Sequence, residues 1–389
     1  MPDPNRLKDV TPAWLGACLR QSGAARDAEV TRFEAEPIGL GRGFAGRLYR
    51  VRLHYDRAVP GAPATLIAKF AADHAGTREM LDELGFYGKE VRFYREVAER
   101  VPLPTPRCYL ASYDPEAHGF VLLLEDLAPA AAADLAAGLS LPQAKDVLAQ
   151  LARTHARFWD RTDGLEWLAP GAELMRSFRR RYQGSLTAFE AHFGARFPYL
   201  VRVARQCGWI LEGEEFMRNL HKSPQTLTHA DLHLANLFFP TAEGGRFAVV
   251  DWQNVMLSRH GASDVARIVG LGLRPESRRA HEDALLRHYH AALLAEGVRG
   301  YGLRMLRLRY REELAAQVLV AVVVFETLDF DVEGGEQMTQ MFIERLCFAL
   351  EDAHVAALLA GMIALLWPIR PLYRAWLALT RRTPARPPR

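Results

Sequence analysis

Two apolar runs, Leu237-Phe-Phe239 and Phe247-Ala-Val-Val250, are separated by Pro240-Thr-Ala-Glu-Gly-Gly-Arg246. Proline and paired glycine mark a turn, so the stretch predicts a β-hairpin. Upstream, Thr11 and Pro12 suit the cap and first position of a short helix running to about Gln21. Alternation from Leu48 to Leu53, a short strand at Leu66–Phe70, and runs at Arg107–Tyr113 and Phe120–Leu124 predict a sheet-rich first third. Between them, Phe86, Phe93, Tyr94, Val97 and Val101 recur at helical spacing.

After Leu127 the pattern changes to helices. Gln143–Asp160 carries Val147, Leu148, Leu151, His155, Phe158 and Trp159 on one face, which makes His155 a hydrogen-bonded core histidine. Ser177–Phe189, Val201–Leu220 and the long apolar stretch Leu306–Leu328 predict further helices. The expected fold class is therefore α+β, with residues 1–127 as one lobe and 128–389 as a larger, mainly helical one. A length of 389 residues gives each lobe enough chain for a core of its own.

Composition narrows the classes. With 49% hydrophobic and 24% charged residues the chain is an ordinary globular protein, and a net charge of +3 gives no argument for nucleic acid. Cys18, Cys108, Cys207 and Cys347 are far apart, which favours reduced thiols in the cytoplasm over a disulfide or zinc framework. The opening Met-Pro-Asp-Pro-Asn-Arg lacks the apolar core of a signal peptide. The sequence sets no oligomeric state.

The chemistry-bearing residues are those that interrupt the apolar pattern. Asp231 and Asn236 lie five apart in Thr228-His-Ala-Asp-Leu-His-Leu-Ala-Asn236, and Asp251 ends the second hairpin strand. The hairpin makes neighbours of Asn236 and Asp251, two oxygen-bearing side chains that suit Mg²⁺, while Asp231 stays free to act as a base. Lys69 interrupts a strand, where it either snorkels or finds a partner, and Glu90 falls on the buried stripe of the following helix, where it either snorkels at the edge or pairs; each is the other's obvious partner. Gly39, Gly41, Gly43 and Gly46 form either a plain hairpin turn or a loop whose N–H groups approach a phosphate. The loop has no Gly-Lys-Ser/Thr and is not a P-loop. Asp264 reads as a helix N-terminal carboxylate, with Ser263 as the helix cap.

His229-Ala-Asp231-x-His233-x-x-Asn236 followed by Asp251-Trp-Gln253 resembles the aminoglycoside phosphotransferase and choline kinase superfamily of protein-kinase-like folds, and its ecdysteroid-kinase-like group in particular. The resemblance covers Ile38 to about Leu273 and implies a bilobal fold with ATP and Mg²⁺ in the cleft. It implies that Gly39, Gly41 and Gly43 cover the phosphates and that the Lys69–Glu90 pair aims an ammonium at them. The hinge at Glu125 and Leu127 would take the adenine through main-chain groups. Asp231 would be the catalytic base, steadied by His229 and His233, with Asn236 and Asp251 as metal ligands. The acceptor would be the hydroxyl of a small molecule. Two rivals remain open: a non-catalytic nucleotide-binding module of the same fold, and a metal-dependent hydrolase built on His229, Asp231 and His233.

Two stretches carry alternatives of their own. Glu326, Asp329, Asp331, Glu333 and Glu336 form an acidic cluster that is either a solvated loop or a rim for a cationic acceptor. Val355–Leu366, with Trp367-Pro368 and a basic tail after it, reads first as a buried helix and second as a weak membrane-surface anchor.

Overall fold

The computed structural model describes residues 3–39, 46–116, 119–169, 172–220, 224–325 and 335–366. Gly41, Gly43, the acidic residues from Glu326 to Glu333, and everything from Trp367 onward lie outside them.

Helix α1 (Pro12–Gln21) begins where expected, with Thr11 Oγ1 accepting the Trp14 N–H at 3.2 Å. Strands β1 (Val30–Ile38), β2 (Gly46–Tyr55) and β3 (Thr65–Ala71) follow, then α2 (Ala75–Glu83) and α3 (Phe86–Arg92), which runs on as a π-helical turn over Phe93–Val97. Strands β4 (Cys108–Asp114) and β5 (Gly119–Glu125) complete a five-stranded antiparallel sheet of order β1-β2-β3-β5-β4. Side chains alternate across a strand, so β3 and β5 feed two cores. Leu66, Ala68, Phe70, Val121 and Leu123 face α1, packing with Leu15 and Leu19. Phe120, Leu122 and Leu124 face the other way, toward Tyr87, Val91 and Tyr94 of α3 and its continuation. Lys69 belongs to that second face by parity.

The remainder is helical around a small β framework. It comprises β6 (Ala131–Ala132), α4 (Leu141–Phe158), α5 (Ala172–Phe193), α6 (Pro198–Leu220), β7 (Gln225–Thr228), β8 (Leu237–Phe239), β9 (Ala248–Val249), β10 (Met256–Arg259), α7 (Ala262–Val265), α8 (Pro275–Ala295), α9 (Leu303–Val324), α10 (Gly335–Asp352) and α11 (Val355–Leu366). Ser140 and Gln143 form a reciprocal cap at the start of α4. Strands β8 and β9 are the expected hairpin, paired Leu237 to Val249, and β6 adds a third strand. Strands β7 and β10 pair antiparallel, Thr228 opposite Met256. The segment from His229 to Val255 therefore leaves and returns through one ladder.

One buried cluster runs from α3 into the helical part, through Phe93 stacked on Trp252 at 4.1 Å. One expectation needs correcting. Ser263 is not a cap; Gly261, at φ +65°, opens the helix and Ser263 bonds Ser258 instead. At the C-terminus, Val355, Ala356 and Leu359 are buried, whereas Leu365 is exposed. Among the described residues no single helix is long and apolar enough to cross a membrane.

Candidate active site

The centre of the site is an ammonium shared by two carboxylates. Lys69 Nζ lies 2.9 and 2.8 Å from the two oxygens of Glu90 and 2.8 Å from Asp251 Oδ1. Lys69 and Glu90 are buried, at 6% and 1% exposure, so neither would stand there uncompensated. Burial alone would lower the lysine pKa, but Asp251 and Glu90 outweigh it and hold the ammonium above its ordinary range. Glu90 is raised, first by burial, with the Asp251 charge adding and Lys69 opposing.

Asp251 sits in the left-handed region, φ +66°, at the end of the hairpin. That turn swings its carboxylate off the strand direction, and Gln253 Nε2 donates to its second oxygen at 3.3 Å. The Val250 N–H donates to the Asn236 carbonyl at 3.1 Å, so the hairpin sets Asn236 beside the residue that precedes Asp251. Asn236 is buried and donates its amide to the Asp231 carbonyl at 3.0 Å. This leaves its side-chain oxygen as the atom that can face a cation.

The loop around Asp231 is held from below by Asp264. One Asp264 oxygen accepts the His229 N–H and the other the Ala230 N–H, both at 2.9 Å. His155, donating from Nε2 at 3.3 Å and bound through Nδ1 to the Tyr289 hydroxyl at 2.7 Å, completes the support. Burial would raise the Asp264 pKa, but His155, His229 and the donated N–H groups bring it below the ordinary carboxylate range. Asp264 lies in the first turn of α7, as expected of a helix N-terminal carboxylate, and the same side chain anchors the loop. Gly261 is required beside this support, because a Cβ there would sit 2.4 Å from the His155 ring.

His229 is the scaffold expected of it. Its Nε2 donates to the Val250 carbonyl at 2.9 Å and its Nδ1 accepts the Asp231 N–H at 3.3 Å. Both nitrogens are occupied within the fold, and burial lowers its pKa, so the ring stays neutral. His233 differs: its Nε2 stands 4.0 Å from Asp231 Oδ2, facing the carboxylate and not the loop backbone. Asp231 Oδ1 pairs with Arg267 at 3.2 Å and Oδ2 accepts from Asn254 at 3.2 Å. Burial opposes ionisation of Asp231, but His233, Arg267 and His229 outweigh it and hold its pKa below the ordinary range. No group of three or more His, Cys, Asp or Glu that could hold a metal occurs among the described residues. With both His229 nitrogens engaged, the hydrolase arrangement has no ligand set here.

Gly39 follows β1 at φ +68°. Gly46 is required where β2 meets β3, since a Cβ would lie 2.4 Å from the Phe70 carbonyl. Glu125 turns its carboxylate away, to Arg246 at 2.5 Å and the Arg107 N–H at 2.9 Å. Leu127 is buried and its carbonyl accepts the Ala130 N–H at 2.8 Å.

Arg267, Asn254 and Gln253 are site residues that the sequence reading did not single out. Arg267 carried a signal, a cation inside Val265-Ala-Arg-Ile-Val269, of the same kind that marked Lys69.

Residues 61–304 match the model of the phosphotransferase enzyme family known as APH. No curated protein matches the chain. Among solved structures, a choline kinase from Cryptosporidium parvum Iowa II is 11% identical, with a TM-score of 0.49 over 94% of this chain and 99% of that one. A Plasmodium vivax ethanolamine kinase is 15% identical, with a TM-score of 0.46 over 82% and 81%. The choline kinase LicA from Streptococcus pneumoniae is 15% identical, with a TM-score of 0.45 over 86% and 99%.

Proposed function

We propose a reaction for a chain that belongs to the APH phosphotransferase enzyme family: it transfers the γ-phosphoryl group of ATP to a hydroxyl of a small molecule. The observation that carries this reading is the convergence of Lys69, Glu90 and Asp251 at 2.8–2.9 Å, from a strand, a helix and a hairpin. Such a cluster matches the lysine–glutamate pair and metal-binding aspartate that kinases place at nucleotide phosphates.

In this reading the lobe boundary lies near Leu127, the Leu127 N–H and Glu125 carbonyl take the adenine, and Gly39, Gly41 and Gly43 cover the phosphates. The Asp251 carboxylate and the Asn236 amide oxygen would hold Mg²⁺; both are hard oxygen donors, as that ion requires. Bound there, the ion supplies neutralisation of phosphate charge. Lys69 holds the α- and β-phosphates in line. Asp231 accepts the hydrogen bond of the acceptor hydroxyl and takes its proton late in transfer, while His229 and His233 steady it. Positioning and charge, more than covalent chemistry, carry the rate. The reduced cysteines suit a cytoplasmic site of action.

The test is turnover of ATP with and without Mg²⁺, across a panel of hydroxylated metabolites. Asp231→Ala should lower turnover by about 10²–10⁴-fold with nucleotide affinity retained. Tight nucleotide binding with no turnover in any condition would instead favour a binding module, and EDTA-resistant turnover would remove the metal from the scheme.

A further inference from the structure

Asp231 is fixed by more than its loop. Asp264 and Arg267 lie three apart on one helical stretch, the spacing that puts two side chains on one face. Asp264 takes the main-chain N–H groups of His229 and Ala230, and Arg267 reaches the side chain of the next residue, Asp231, at 3.2 Å. A single turn thus clamps three successive residues of the catalytic segment.

The pairing is not a surface accident. The Arg267 side chain is 7% exposed, and its Nε has no hydrogen-bond partner among the described residues. Its guanidinium carbon stands 5.5 Å from the centre of the Phe342 ring of α10, which backs it. A buried guanidinium with an unpartnered N–H is costly unless its charge is needed where it stands. The charge meets Asp231 Oδ1, while Asn254 holds Oδ2 at 3.2 Å. With one donor on each oxygen the carboxylate plane cannot rotate, and each oxygen keeps a lone pair directed elsewhere. Lys69 serves Asp251 together with Glu90, whereas Arg267 serves Asp231.

We propose that Arg267 is a positioning residue: it locks the Asp231 carboxylate in the orientation that aligns the acceptor hydroxyl with the phosphate. The inference rests on the phosphotransfer reading above. It requires that Arg267 act only through Asp231.

The experiment is a double-mutant cycle on Mg-ATP turnover with water as acceptor, alongside ATP affinity and melting temperature. Arg267→Gln should lower kcat by about 10²-fold, the scale of a misplaced catalytic group, with KM for ATP nearly unchanged. In an Asp231→Asn background the same substitution should change kcat by less than about threefold, because groups acting as a unit are non-additive. Arg267→Lys, which keeps the charge but not the planar fork, should recover part of the loss. Equal losses in both backgrounds would overturn the proposal and leave Arg267 a structural residue. If Arg267→Gln does not fold, Arg267→Lys carries the same cycle: it should slow turnover when Asp231 is intact and leave it unchanged in the Asp231→Asn background. Wild-type protein that turns over no ATP with water or with any member of the hydroxylated panel would overturn the phosphotransfer reading, and this inference with it.

Discussion

Lys69 and Asp251 stand 182 positions apart in the chain and are joined at 2.8 Å. The contact ties a strand of the sheet to the end of the hairpin. Glu90 holds the same ammonium, so one buried cation joins strand, helix and hairpin.

Removing that cation should cost stability as well as nucleotide affinity. Lys69→Met strands the buried Glu90 carboxylate, and breaking a buried pair in this way costs about 3–5 kcal/mol. The raised Glu90 pKa softens the loss, since the group can protonate. Urea unfolding of Lys69→Met should show the drop, and Lys69→Met/Glu90→Leu should recover much of it. Nucleotide binding should not return in the double variant.

Asp264→Ala should loosen the catalytic loop directly. It leaves the His229 and Ala230 N–H groups and the His155 ring without their acceptor. At about 1–3 kcal/mol for each unsatisfied buried group, partly relieved by water, a net loss of roughly 2–4 kcal/mol is expected. Equilibrium unfolding measures it, and hydrogen exchange at residues 229 and 230 should rise together.

Two glycines should answer oppositely to alanine. Gly46→Ala puts a Cβ 2.4 Å from the Phe70 carbonyl, a backbone atom that cannot step aside, and should cost about 1–3 kcal/mol while weakening ATP binding. Gly184, exposed within α5, has nothing within 4 Å, and Gly184→Ala should stabilise by about 0.5–1 kcal/mol. Melting temperatures of the two variants decide it.

The pH dependence of stability has a marker outside the site. His260 is buried, stacked on Tyr301 at 4.9 Å, with neither ring nitrogen hydrogen-bonded among the described residues. Burial first, then the charges of Arg309 and Arg259, pull its pKa from 6.5 down to about 4, with Asp160 opposing. The folded state therefore binds this proton less readily than the unfolded chain. Stability is unaffected above pH 6.5 and falls as pH drops from 6.5 toward 4, by roughly 3 kcal/mol at most from this group. Buried His229, also lowered, adds to the same slope. His260→Asn should be less stable at neutral pH but show a shallower decline in that window, measured by denaturant midpoints.

Much of this was legible because charge inside an apolar pattern is expensive and must have a reason. Lys69 and Glu90 each broke a period, and the hairpin turn put Asn236 beside Val250 by simple geometry. Arg267 broke its run in the same way, but an arginine can snorkel, and only the helix turn after Gly261 aims it at Asp231. The cap at Ser263 misled because side-chain preference was read without backbone: a left-handed Gly261 starts the helix earlier. Helix α8 left little periodic trace, since Arg278 on its buried side pairs with Glu282 at 2.8 Å and with Asp352 where apolar residues are expected. The hairpin suggested a cation beside Asn236 and Asp251 and the glycines a phosphate, but the adenine hinge and the role of each residue came only from motif resemblance.

The Phe93–Trp252 stack has a consequence for control. Trp252 follows Asp251 directly and also lies 4.6 Å from the His229 ring, so the helix carrying Glu90 is bolted through one indole to both acidic segments. An outward swing of that helix, the motion by which many phosphorylating enzymes are switched off, would have to unstack two aromatic planes in a dry interior. Displacing that helix therefore costs aromatic contact as well as the Lys69 ion pair, so Glu90, Asp251 and His229 are held as one unit.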